Sequence, residues 1–318
     1  MIKVDKEKLF NHNACGVGEF ISSELNDSLI DSYEKEFPGV VSKFSVDHQL
    51  VEKVFSMHDK VTGLQFAMGL TDTLNPNSSR VLLIPCTHAE KGMKPIPLIS
   101  YRGYYDLDGG LVPLIEACQI IANQAAYRKT HDQNLTYKDI ERFSFVGRNM
   151  ISNLLSVPNC ESFSFQFGFE NNRIATILSP LDANGENIND IYADKMGTTP
   201  PMGNCPPGEE CGGDCAAELV MSIKSNKEDL DIIRTFRDNY LLNLENGDWL
   251  YEMYYFISPL VTYKINNACN KIQLIDTLHS KIKAMTHLIE AEEYDKTVSV
   301  FRNTLEELVD VYQEALSY

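Results

Sequence analysis

The chain has 318 residues, of which 43% are hydrophobic and 23% are charged, an ordinary composition for a globular protein with two or three cores. Its formal net charge is −17, which repels polyanions at long range and argues against nucleic acid or an anionic membrane surface as a partner. Eight cysteines are too few for a disulfide scaffold, so we expect most of them to be reduced thiols.

Two features that would direct a chain to a membrane are missing from the sequence. Residues 1–8 are charged where a signal peptide has its apolar segment. No stretch approaches the roughly 18 uninterrupted apolar residues of a spanning helix. We therefore expect a cytoplasmic protein that does not contact a membrane.

We predict an irregular N-terminal arm over residues 1–23, because apolar residues show only weak periodicity there. The segment 24–108 alternates between helical and strand patterns. Its predicted elements are a helix over 28–37, a strand over 40–46, a helix over 47–57, and strands over 61–70, 80–87 and 96–105.

The segment 109–194 repeats this order. Its predicted elements are a helix over 111–128, a strand over 142–146, a helix over 148–156, and strands over 161–169 and 173–181. Phenylalanines alternate with small or polar residues from 163 to 169, which predicts a sheet with one face buried under helices. The other face, with Ser164, Gln166 and Gly168, is either solvated or packed against the sister segment.

The two segments are related in sequence. Phe44-Ser45 opens the first pattern and Phe143-Ser144 opens the second, 99 positions later. Arg80 has its counterpart in Arg173, 93 positions later, so one surface loop is about six residues shorter in the second copy. We interpret this as an internal duplication. The predicted fold class is α+β, with two related helix-plus-antiparallel-sheet modules followed by an all-helical C-terminal region.

The character of the chain changes after the second module. Residues 195–216 form a Cys/Pro/Gly-rich loop, and residues 217–318 form a predicted helical C-terminal domain. Apolar residues at three-and-four spacing predict helices over 230–242, 249–256, 261–288 and 297–316.

Two stretches resemble known groups of proteins. Residues 143–185 contain Gly147-Arg148-Asn149, Pro158-Asn159-Cys160 and Leu181-Asp182-Ala183-Asn184-Gly185, followed by Cys205-Pro206-Pro207. This pattern resembles uncharacterised small α+β proteins common in Bacteroidota, and it recurs weakly over 44–92. The resemblance implies a helix–strand–helix–hairpin architecture and brings no activity with it.

The second resemblance lies in the helical region. It is carried by Ile233, Arg234, Phe236-Arg237-Asp238, Leu241-Leu242, Gly247, Tyr254-Tyr255 and Ser258-Pro259. Residues 233–261 are thereby similar to the CFI-box C-terminal domain, although Cys215-Ala216-Ala217 stands where that domain has Cys-Phe-Ile. This resemblance also implies architecture and no activity.

A third similarity concerns Cys15. The run Asn13-Ala14-Cys15-Gly16-Val17-Gly18 looks like the start of class II glutamine amidotransferases, in which a processed N-terminal cysteine is the nucleophile. We interpret the match as chance. Asn246-Gly247 comes too late in the chain to supply the oxyanion pair, and the predicted modules do not indicate an αββα hydrolase fold.

Three cysteines in the Cys/Pro/Gly-rich loop are the candidate metal ligands. Cys205, Cys211 and Cys215 form a C-x5-C-x3-C pattern, which lacks the C-x2-C pair of standard zinc motifs. Three thiols on a flexible loop leave three interpretations open: a zinc site with a fourth ligand from elsewhere, a redox-labile disulfide loop, or an exposed loop without function. No cofactor is expected, and zinc is the alternative.

Arg237 and Asp238 are the candidate interaction residues. Neighbours on a helix point about 100° apart, so we expect that they do not pair with each other. Each is predicted to reach a different neighbour, such as Tyr254, Tyr255 or an adjacent module. A structural ion pair is the favoured interpretation, and a binding role is the alternative.

No catalytic motif stands out in the sequence. We therefore expect an interaction or scaffold protein that is not an enzyme, with a protein partner or self-association. The alternative is an enzyme or sensor with a metal- or thiol-dependent site, either at Cys205, Cys211 and Cys215 or in the cleft between the two modules.

Overall fold

The computed structural model describes residues 18–56, 61–88, 95–97, 103–131, 140, 142–170, 173–194, 197–199, 216–224, 226–244, 247–267 and 269–315. The chain divides into two compact units, residues 1–200 and 201–318. We call them the N-terminal unit and the helical unit, and each is described by itself.

The described helices of the N-terminal unit are α1 (Ser23–Glu36), α2 (His48–Ser56), α3 (Leu114–His131) and α4 (Arg148–Leu155). Its strands are β1 (Glu19–Ile21), β2 (Lys43–Asp47), β3 (Gly63–Leu70), β4 (Ser79–His88), β5 (Pro95–Pro97), β6 (Gly103–Asp106), β7 (Leu111–Pro113), β8 (Phe143–Gly147), β9 (Ser162–Glu170), β10 (Arg173–Leu181), β11 (Tyr192–Asp194) and β12 (Gly197–Thr199). The helical unit contains α5 (Ala216–Ile223), α6 (Lys227–Asn239), α7 (Gly247–Asn267), α8 (Lys271–Glu290) and α9 (Tyr294–Ala315).

The α+β class with two antiparallel sheets and a helical C-terminal region is confirmed. The first sheet has the order β1-β11-β10-β9-β2, and the second has the order β12-β8-β3-β4-β6-β7 with β5 beside β4. Each sheet therefore takes strands from both predicted modules. The expectation that each module has its own sheet is wrong, because β2 of the first segment pairs with β9 of the second, and β8 of the second pairs with β3 of the first. The predicted boundary at 108/109 lies inside one compact unit.

The two strand pairings that join the segments, β2 with β9 and β8 with β3, have equivalent registers. Phe44 of β2 lies opposite Phe165, and Ser144 of β8 lies opposite Phe66. By its position in the sheet, Phe44 therefore corresponds to Ser144, whereas the sequence comparison of the two segments matched Phe44 with Phe143. A shift of one residue in a strand moves every side chain to the other face, which explains why Phe44 and Phe143 point to opposite sides of their sheets. The equal registers are those that a duplication would produce, and the duplication itself remains a prediction.

The two sheets pack face to face. The rings of Phe66 in the second sheet and Phe165 in the first lie 4.8 Å apart, and Ser144 hydrogen-bonds across the gap to Thr176. Phe66 and Phe165 belong to a hydrophobic core between the sheets, to which the short helices α2 and α4 add Val51, Val54, Ile151 and Leu154. The phenylalanine face of β9, which we expected to lie under helices, therefore faces the other sheet instead. The face with Ser164, Gln166 and Gly168 is turned away from that sheet.

Helices α1 and α3 cover the outer faces, and a glycine lies under each. Gly168 of β9 lies three residues from Phe165, on the opposite side of the strand, and contacts Leu29 of α1. Gly69 of β3 occupies the equivalent place under Ile120 of α3. The N-terminal unit is therefore layered helix–sheet–sheet–helix. Our expectation that the modules do not form an αββα arrangement is wrong, because their sheets stack on each other.

The loop after β10 contains Asn184-Gly185, a pair typical of a type I′ hairpin turn, but its backbone is different. Gly185 has a φ of 78°, whereas Asn184 is not among the residues with positive φ. The Gly185 amide donates to the Asp182 carbonyl at 3.0 Å, and Asp182 pairs with Glu186. This is a three-residue hairpin loop closed by a glycine bulge. The Asp182 carboxylate accepts the backbone N–H group of Glu186 and, with a smaller effect, that of Asn184, and these hydrogen bonds hold the pKa of Asp182 below its ordinary value.

The helical unit departs from the sequence prediction at Pro259. We expected a break there, but α7 continues through it to Asn267, and the chain turns near Cys269 instead. A proline removes one hydrogen bond from a helix interior. Packing on both sides of the proline offsets this loss, because Ile257 and Val261 are buried and the Ser258 hydroxyl accepts the Ala216 backbone N–H at 2.9 Å. Among the described helices, none has both the length and the apolarity needed to cross a bilayer.

Gly69→Ala tests the close approach of α3 to its sheet. A Cβ at Gly69 would stand 2.1 Å from Ile120 Cγ2 and 2.9 Å from the Ile120 carbonyl oxygen, so we expect a loss of about 2 kcal/mol or more in the free energy of unfolding. Gly110→Ala is the control, because nothing lies within 4 Å of its Cβ position. Urea unfolding followed by circular dichroism measures both. Equal midpoints for the two variants would contradict this packing.

Candidate functional site

The candidate interaction residues lie in the helical unit, where α6 carries Arg237 and Asp238. α6 begins after Asn226, whose side-chain oxygen accepts the Asp229 backbone N–H at 3.3 Å and caps the helix. Lys283 of α8 reaches the Asp229 carboxylate at 2.6 Å. The helix is thus held at its first turn by a cap and by an ion pair to a neighbouring helix.

Arg237 and Asp238 do pair with each other, which corrects our expectation. Arg237 Nε donates to Asp238 Oδ1 at 2.7 Å, and Nη2 donates to Oδ2 at 3.0 Å. The angle of about 100° between neighbouring residues on a helix separates their Cβ atoms, but the long arginine side chain curls back and spans the difference. Two parallel hydrogen bonds of this kind are the strong geometry of an arginine–carboxylate pair.

The predicted contact between Arg237 and the tyrosines of α7 is present for Tyr255. Arg237 Nη1 donates to the Tyr255 hydroxyl, and the guanidinium carbon lies 5.9 Å and 5.7 Å from the ring centres of Tyr251 and Tyr255. The Tyr254 ring meets the Tyr255 ring edge to face, with the ring centres 5.0 Å apart. Burial by itself lowers the pKa of Arg237, but the Asp238 carboxylate and the two tyrosine hydroxyls more than offset it and raise that pKa. Arg237 is therefore a fixed cation that joins α6 to α7.

An apolar cavity of about 90 Å³ lies beside this cluster. Most of its walls are aliphatic and aromatic side chains from three helices: Leu230, Ile233 and Phe236 of α6, Leu278, Ile282 and Met285 of α8, and Phe301, Leu305 and Leu308 of α9. Ala216 and Ala217 of α5 and Tyr254 of α7 also line it. Several of them, including Ile233, Leu278 and Phe301, are only partly buried. The cavity is therefore in contact with the surface of the helical unit.

The polar groups that line this cavity are already satisfied. Arg234 pairs with Glu218, and Lys281 pairs with Glu307 at 2.6 Å. The Thr297 and Thr304 hydroxyls donate to backbone carbonyls four residues earlier, at 3.1 Å and 2.8 Å. What remains for a ligand is apolar contact, so the cavity suits a hydrocarbon group better than a charged one.

A second concave site lies in the N-terminal unit, between α2 and α4. We call it the α2–α4 groove. It is lined by His48, Glu52, Phe55, Ser56, Arg148, Ser152, Leu155 and Ser156. These residues form four pairs, 48/148, 52/152, 55/155 and 56/156, and the members of each pair are one hundred positions apart in the chain. The sequence analysis did not identify them, because the two helices are brought together only by the exchange of strands.

The predicted metal ligands Cys205, Cys211 and Cys215, and also Cys15, lie outside the described residues. Within the described ranges, no cluster of three or more histidine, cysteine or acidic side chains could hold a metal ion. Four cysteines there are free thiols, of which Cys86, Cys118 and Cys160 are buried and Cys269 is exposed. Burial raises the pKa of the Cys86 and Cys160 thiols, so neither has the character of a reactive thiolate.

The chain matches no protein-family model, no curated protein and no solved structure. The resemblances to the small Bacteroidota proteins over 143–185 and to the CFI-box domain over 233–261 therefore remain predictions.

Arg237→Gln tests whether this cation holds the helical unit together. The variant removes the two hydrogen bonds to the partly buried Asp238 carboxylate and the one to the Tyr255 hydroxyl, so we expect a loss of about 2 kcal/mol in the free energy of unfolding. Trp249, the one tryptophan of the chain, is buried in α7 and reports unfolding by its emission. Lys296→Gln is the control, because the Lys296–Glu293 pair is exposed and contributes little. Equal midpoints for both variants would show that Arg237 is not a structural cation.

Proposed function

We propose that this protein is a non-catalytic interaction protein that binds a protein partner through its helical unit. The observation that carries the proposal is the apolar cavity lined mainly by α6, α8 and α9. Protein interfaces are commonly anchored by one bulky apolar or aromatic side chain that enters a pocket on the partner. A cavity of about 90 Å³ has room for one such side chain.

The charges beside the cavity favour a protein partner over a charged metabolite. The cations that line it are neutralised by Glu218, Asp238 and Glu307, so an anionic ligand would have to displace an existing ion pair. An apolar anchor displaces none. Its burial removes carbon surface from water at about 25 cal/mol per Å².

Ala217→Phe tests this proposal. Ala217 lines the cavity from α5, and a phenylalanine there would occupy the space that the anchor of the partner needs. Ser222→Phe adds the same ring at an exposed position of α5 that does not line the cavity. We expect the wild-type chain and Ser222→Phe to retain the same partner proteins in equal amounts. The amount retained by Ala217→Phe should be lower by a factor of at least about ten. Circular dichroism and Trp249 emission check that both variants are folded.

The outcomes of this comparison are distinct. Loss of a dimer in sedimentation with Ala217→Phe alone would identify a second copy of the chain as the partner. Loss of one heterologous protein in quantitative mass spectrometry would identify that protein. Equal retention on all three chains, or no retention on any, would contradict the proposal.

A thiol-dependent enzyme is the second candidate, and one observation favours it. The N-terminal unit has helix–sheet–sheet–helix layers, which is the arrangement that the similarity at Asn13–Gly18 would imply. In this candidate, removal of the first 14 residues frees the amine of Cys15 as the base for its own thiol.

Native mass spectrometry of the purified chain tests this candidate and the metal alternative together. An N-terminal thiol enzyme would lose the mass of 14 residues, would hydrolyse glutamine, and would do neither as Cys15→Ser. A zinc site at Cys205, Cys211 and Cys215 would add the mass of one metal ion, which a chelator removes. An unprocessed chain without bound metal would contradict both.

A further inference from the structure

We propose that the α2–α4 groove binds an oxyanion group, a carboxylate or a phosphate, of a small polar molecule, with Arg148 as its anchor. This inference does not depend on the interaction proposed for the helical unit. It rests on the direction of the two helices, on the contacts of Arg148 and on the hydroxyl groups beside it.

The two helices run in opposite directions along the groove. Arg148 at the start of α4 lies over the ring of Phe55, near the end of α2, with 4.9 Å between the guanidinium carbon and the ring centre. His48 at the start of α2 reaches the carbonyl of Cys160, beyond the end of α4, at 3.4 Å. Because α4 has eight residues, the groove is about 12 Å long, with Arg148 and His48 at opposite ends.

Arg148 is held in place but keeps donors for a ligand. It is half-buried, its guanidinium packs on Phe55, and its Nη1 donates to the Val61 carbonyl at 3.3 Å. A guanidinium has five N–H donors in a fork that matches two oxygens of a carboxylate or phosphate. No carboxylate pairs with Arg148 in the part of the chain that the structure describes.

Three other arginines of the described residues pair with carboxylates. Arg80 pairs with Asp106, Arg234 with Glu218 and Arg237 with Asp238. Arg148 has no such pair among the described residues, although the chain carries a net charge of −17. The one acid of the groove, Glu52, is engaged by His48 Nε2 at 3.3 Å.

The rest of the groove suits a polar ligand. The hydroxyls of Ser56 and Ser156 each donate to a backbone carbonyl three residues earlier, at 2.8 Å, so their oxygens remain as acceptors. Ser152 is exposed between them and supplies a further hydroxyl. A ligand with an oxyanion at Arg148 and hydroxyl or amino groups along its body would match both features.

Titration of the full chain with inorganic phosphate and with acetate, followed by calorimetry at constant ionic strength set by sodium chloride, tests the proposal. We expect saturable binding at one site by at least one of the two anions. Arg148→Gln should weaken it by at least about tenfold, because the fork is lost. Arg148→Lys keeps the charge without the fork and should fall in between. Arg302→Gln removes an equal charge from an exposed arginine of α9 and should bind as the wild type does.

The two anions separate the two sources of the oxyanion group: preference for acetate indicates a carboxylate ligand, and preference for phosphate indicates a phosphorylated one. Circular dichroism of each variant checks the fold, and Arg148→Lys keeps the test valid if Arg148→Gln is unstable. Absence of saturable binding to the wild type, or equal binding by the wild type and a folded Arg148 variant, would overturn the proposal. Failure of this site leaves the cavity of the helical unit unaffected, because no residue lines both.

Discussion

The exchange of strands between the two halves of the N-terminal unit is the constraint on which its structure depends. The hairpins β3–β4 and β9–β10 each gain a further strand from the other half, β8 and β2 respectively. Helices α2 and α4 follow these two strands directly in the chain. The exchange therefore carries both helices to one place, and the α2–α4 groove exists as a consequence of sheet pairing.

Packing on the two sides of each sheet follows from the same arrangement. The inner faces meet through Phe66 and Phe165, whose tilted rings lie 4.8 Å apart at equivalent positions of the two hairpins. The outer faces receive α1 and α3 at Gly168 and Gly69, where a Cβ would collide with the helix. Large inner residues and small outer ones on the same strand thus allow four layers in one compact unit.

The two units offer opposite kinds of site. In the helical unit the cations beside the cavity are neutralised by carboxylates, so that the free surface there is apolar. In the N-terminal unit the groove keeps a guanidinium without a carboxylate partner among the described residues, and three serine hydroxyls lie along its length. Hydrocarbon burial and charge-assisted hydrogen bonding select different ligands, so the two sites need not share one.

Local patterns in the sequence predicted the longer helices and strands of the N-terminal unit and the residues of β9 that share a face, but not the three-residue strands β1, β7, β11 and β12. Alternation from Phe163 to Phe169 predicted a buried strand over 161–169, and β9 spans Ser162–Glu170. Local patterns depend only on neighbouring residues, which is why they can be read from the chain. The pairing of the strands depends on tertiary structure. Alternation of side chains between the two faces of a strand carries no information about a partner strand one hundred residues away. The tertiary structure also decided that α7 continues through Pro259 and that Arg237 turns back to Asp238, because both depend on packing against other helices.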